Sequence, residues 1–70
     1  MTRLPMPTPI SKRSGGKLGW SMYATRPEAE RAAEIARHNA RLDEAQGYDW
    51  GFCTPGEITA RPGGFEVSHP

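Results

Sequence analysis

A stripe of alanines is the feature that most constrains this chain. Ala29, Ala32, Ala33, Ala36 and Ala40 recur at helical spacing, which places them on one face of an α-helix. Ile35 and Leu42 flank the stripe, while Arg31, Glu34, Arg37, His38 and Arg41 fall on the opposite side. Start and stop signals bracket the segment. Thr25 is positioned to cap the first free amides, with Glu28 three residues on completing a capping box. Pro27 suits the first turn, where its missing N–H is no loss, and Gly47 is the natural terminator. A helix is therefore predicted from about Arg26 to Ala45 or Gln46. Its alanines let a partner layer approach closely but supply little volume, so the bulk of the core has to come from elsewhere.

The aromatic residues can supply it, and four of the six follow the helix. Trp20 to Thr25 alternates with a period of two and reads as a strand. Trp20, Met22 and Ala24 are expected to face the core, with Tyr23 on the other face at an edge or interface. Tyr48-Asp49-Trp50-Gly51-Phe52-Cys53 reads either as a strand with three rings on one face or as a loop wrapping them over the helix end. Thr54-Pro55-Gly56 is a turn. Glu57 to Arg61 and Phe65 to Ser68, joined by Pro62-Gly63-Gly64, form a hairpin. The expected fold is α+β: one long amphipathic helix on a small, mainly antiparallel three- or four-stranded sheet, in the order β-α-(β)-β-β.

Charge divides the chain. The net charge of +1 hides four cations and no acid in residues 1–17, against five arginines and eight acids in the remainder. Pro5, Pro7 and Pro9 favour extended backbone, and Ser11 to Lys17 has linker composition. Residues 1–17 are thus expected to be a flexible basic arm and residues 18–70 a single small domain. The prolines interrupt any apolar leader, no run approaches the length of a membrane span, and Cys53 is the lone cysteine. These features set the expectation of a cytoplasmic chain with no disulfide and no membrane partner.

No constellation of catalytic type stands out. His38 with Glu34 sits on a convex charged face, and Cys53 with His69 lacks a third orienting group. The histidines and the cysteine lack zinc spacing, and Ser14-Gly15-Gly16-Lys17 lacks the preceding strand of a phosphate loop. Neither an enzyme nor a cofactor is expected. Two binding readings remain. Tyr23, Tyr48, Trp50 and Phe52, where not consumed by the core, would form an aromatic patch for a protein partner or for a second copy of the chain, with a homodimer built through an edge strand. Alternatively Arg3, Lys12, Arg13 and Lys17 would contact nucleic acid, weakly and with steep salt dependence.

The runs Trp-Ser-Met-Tyr-Ala-Thr-Arg-Pro-Glu-Ala-Glu, Gly-Tyr-Asp-Trp-Gly-Phe, Pro-Gly-Glu-Ile and Gly-Gly-Phe-Glu-Val resemble small proteins of bacteriophages and prophages. The resemblance implies a bacterial cytoplasmic setting and an accessory role. It carries no activity and no site residues.

Overall fold

The computed structural model describes residues 2–70. Among them the chain forms β1 (Ser11–Gly15), β2 (Leu18–Tyr23), α1 (Arg26–Ala45), β3 (Ile58–Arg61) and β4 (Gly64–His69). The strands make one sheet in the order β1-β2-β4-β3, antiparallel throughout, and α1 packs across one face. This is the expected α+β class, with the element order ββαββ.

The helix follows its signals. The Thr25 side chain accepts the Glu28 amide at 3.4 Å and donates to the Glu28 carboxylate at 2.7 Å. At the other end the amides of Gly47 and Tyr48 donate to the carbonyls of Glu44 and Asp43, a Schellman closure, with Gly47 in the left-handed region at φ +95°. Ala29, Ala32, Ala33 and Ala36 are fully buried against Tyr23 and Val67. Gly56 marks how closely the following loop approaches this helix. A Cβ there would lie 2.4 Å from the Arg37 side chain, and the residue has φ +84°.

Two expectations are corrected. Residues 1–17 do not stand apart as a flexible arm: Ser11–Gly15 is the outer strand of the sheet, paired with β2 from Ser11↔Met22 to Gly15↔Leu18. (Residue 1 lies outside the described residues.) All five residues of β1 are exposed, so the strand has no apolar alternation to announce it. Ladder hydrogen bonds recruit it, through a two-residue turn led by Gly16 at φ +60°. The second correction concerns β2. Its helix-facing residues are Ser21 and Tyr23, both buried, whereas Trp20 and Met22 lie half-buried on the opposite face and Ala24 is exposed. The depth left by the alanines accommodates the ring of Tyr23, whose hydroxyl donates to the Pro7 carbonyl at 2.8 Å.

That contact belongs to a strap. The Asn39 side chain, buried on α1, accepts the Leu4 amide and donates to the Leu4 carbonyl, each at 2.8 Å. Arg3 pairs with Asp43, and Met6 packs against the alanine–tyrosine core. The alternating prolines fit this role, because a segment with few amides leaves few donors to satisfy. Asn39→Ala is expected to leave both polar groups of Leu4 without their partner and to lower unfolding stability by about 1–2 kcal/mol, read from urea denaturation midpoints.

Candidate functional site

Segment 46–57 carries three of the six aromatics, and it is a loop with no strand in it. The Schellman closure sets its direction, and its rings then take separate fates. Trp50 is buried in a cluster with Leu18 and Ala40, and Trp20 and Cys53 pack against that cluster. Its indole N–H has no hydrogen-bond partner among the described residues. Tyr48 lies over Trp50, centroids 4.5 Å apart and planes tilted by 59°, and stays exposed at 44%. The Cys53 amide donates to the Trp50 carbonyl at 3.0 Å. Gly51 at φ +63° completes a tight turn that lifts Phe52 fully into solvent, at 108% of its reference exposure. The Gly51 amide donates to the Asp49 carboxylate at 2.8 Å, bracing the turn from within. Beside it runs an open groove of about 690 Å³ between the last turns of α1 and the loop, bordered by Arg37, Arg41, Glu44, Tyr48 and Trp50.

Of the aromatic residues singled out from the sequence, Tyr48 and Phe52 are therefore the two exposed ones, and Tyr48 alone lies on Trp50. Trp50 is buried beneath Tyr48. Tyr23 is 1% exposed in the core, so it contributes nothing to a patch.

The basic candidates are largely engaged within the chain. Arg3 pairs with Asp43. Arg13 makes two 3.0 Å hydrogen bonds to Glu66 and lies 4.3 Å over the Trp20 ring. Lys17 donates to the Asp49 carbonyl at 2.8 Å and approaches Tyr48. Lys12 has no ion pair among the described residues. A nucleic acid would have to compete for three of these four side chains before gaining phosphate contacts.

Two groupings escaped sequence reasoning. On the sheet face away from α1, Glu66 is buried between Arg13 and Arg61, which reaches it at 3.4 Å. The hydrogen bonds from Arg13 hold the Glu66 carboxyl below the usual carboxylate range. Burial opposes them, and the charges of Arg13 and Arg61 reinforce them. The three residues come from three strands, and only the register brings them together. Ser21 Oγ and His69 Nε2 are 2.8 Å apart. Ser21 is 2% exposed, so the hydroxyl is closed to a substrate, and the contact ties neighbouring strands. Among the described residues no group of three His, Cys, Asp or Glu is arranged to hold a metal ion, and no helix is long and apolar enough to cross a membrane.

No protein-family model, curated protein or solved structure matches this chain.

The Glu66 cluster sets an acid limit on stability. A carboxyl titrating lower in the folded state than its unfolded value of about 4.3 stabilises fully above that value, and its contribution disappears as pH falls through the folded value. Glu66→Gln should flatten that part of the acid limb, measured as urea midpoints from about pH 2 to about pH 6. Trp50 separates volume from polarity. Trp50→Ala should cost about 3–5 kcal/mol. Trp50→Phe, which also removes a buried donor without a partner, should cost about 1 kcal/mol or less in the same assay.

Proposed function

We propose that this protein is a non-catalytic interaction module of bacteriophage or prophage type, acting in a bacterial cytoplasm and gripping a protein partner through the turn that carries Phe52. The reading rests on one observation above the others. A large apolar ring is held fully in solvent by a turn that is itself fixed at both ends. Trp50 is anchored in a buried cluster, Cys53 is bonded back to it, and the Asp49 carboxylate braces the turn from within.

An isolated exposed apolar residue is ordinary on a protein surface. Phe52 differs in its setting, on a braced turn whose flanking residues Gly51 and Cys53 line the groove, which half-exposed Tyr48 also borders. Aromatic anchors of this kind dominate binding free energies when they enter a partner's pocket. A ring presented on a fixed turn loses little conformational freedom on binding, which favours affinity from a small contact. The mixed border of Arg41, Glu44 and Asp49 would give such a contact a polar rim.

The test places a photo-crosslinking phenylalanine analogue at position 52 and, as a control, at exposed Glu30 on α1, in bacterial cells. Position 52 should yield one discrete adduct that the unlabelled chain competes away. Phe52→Ser should leave stability within about 0.5 kcal/mol and compete at least about tenfold less well. Equal labelling from both positions, or full competition by Phe52→Ser, would overturn the reading.

A further inference from the structure

We infer that two copies of this chain associate through β3, joining their sheets into one antiparallel sheet of eight strands. The contact uses a surface separate from the Phe52 turn, so neither inference depends on the other.

Both edges of the sheet are open, and their side chains differ. On β1 a twin centred on Lys12 or Arg13 would set like charges directly opposite each other, which disfavours pairing. β3 carries one cation, Arg61, which reaches Glu66 at 3.4 Å through Nε and keeps half of its side chain exposed, and the strand is preceded by Glu57, which has no ion pair among the described residues. Thr59, Ala60 and Arg61 are exposed.

The hydrogen-bond alternation fixes which groups are free. The Ser68 amide donates to the Glu57 carbonyl at 3.1 Å. From there the ladder runs through Ile58↔Val67, Thr59↔Glu66, Ala60↔Phe65 and Arg61↔Gly64. Residues 57, 59 and 61 therefore turn their backbone polar groups toward β4, and Ile58 and Ala60 turn theirs outward. Pairing with an identical strand about a two-fold axis on Thr59 places Ile58 opposite Ala60 of the second copy. These are the two residues with free amides and carbonyls, so four backbone hydrogen bonds form across the junction.

The same register sets side chains in favourable pairs. Thr59 meets its twin. Glu57 lies opposite Arg61 of the second copy, twice by symmetry, in the closely spaced non-hydrogen-bonded positions where opposite charges interact best. Centring on Ile58 or Ala60 instead loses the charge pair. Centring on Ala60 also sets Pro62, which lacks an amide, against Ile58. An axis normal to the sheet keeps both helices on one face and the two Arg13–Glu66–Arg61 clusters on the other.

The test is sedimentation equilibrium of the full chain from about 10 µM to about 1 mM, a range suited to a small interface. The parent should self-associate. Glu57→Arg and Arg61→Glu should each weaken association at least tenfold by setting like charges opposite each other. An equimolar mixture of the two variants should restore it as a heterodimer, identified by native mass spectrometry, because each mismatch then meets its complement. Should either variant lose the native circular dichroism spectrum, Ala60→Pro reads the same edge by removing an outward amide, and it should be monomeric. A parent that stays monomeric at about 1 mM would overturn the inference. So would charge variants that associate like the parent, a mixture that forms no heterodimer, or an Ala60→Pro chain that still dimerises.

Discussion

The close seating of α1 on the sheet governs the rest of the molecule. Four alanines with no exposed surface form the contact, and alanine fills so little space that the sheet has to rise to meet the helix. On the sheet side the fully buried side chains are Tyr23 and Val67, with Ile58 and Phe65 packed against them. A buried tyrosine needs an acceptor for its hydroxyl proton, and here that acceptor lies outside both helix and sheet. It is the Pro7 carbonyl. The strap is therefore a third layer that the core requires. It brings in the Pro7 carbonyl, the side chain of Met6 and, through Leu4, the partner that keeps Asn39 satisfied in a buried position. The small size of the helix face thus propagates through one phenol into the placement of residues distant in sequence.

Electrostatics follow the same logic. A basic N-terminal stretch joined to an acidic remainder suggested a partner outside the molecule. Much of that complementarity is consumed within it, by Arg3 on Asp43, Arg13 on Glu66 and Lys17 on the Asp49 carbonyl. The exposed pairs contribute little individually. Their combined effect is to hold the strap and β1 where the tyrosine and the buried carboxylate need them.

The parts that could be read from sequence were those with local signals. The helix and its ends are written in the spacing of alanines, in Thr25 with Glu28, and in Gly47. The β3–β4 hairpin is written in alternation and in Pro62-Gly63. What escaped depends on partners far along the chain. β1 is Ser-Lys-Arg-Ser-Gly and has no periodicity, so its identity as a strand rests on the ladder with β2. The faces of β2 were inverted because alternation defines two faces and leaves open which one the helix takes. The exposed position of Phe52 and the buried position of Trp50, two residues apart, follow from a tight turn that alternation alone cannot distinguish from a strand. Glu66 with Arg13 and Arg61 was invisible for the same reason as β1, since only the pairing register brings the three side chains together.

The sheet order has a consequence for how the chain reaches this state. β4 follows all the other described strands in sequence, yet it lies between β2 and β3, which do not touch each other. Until β4 inserts, the β1–β2 hairpin and α1 share only a thin contact and β3 has no neighbour to pair with. The contacts between elements distant in sequence run mainly to this one strand, a topology that slows the search for the native state. Formation and loss of the structure should therefore be governed by a single event at its centre, with the strap and both edges following the fate of β4.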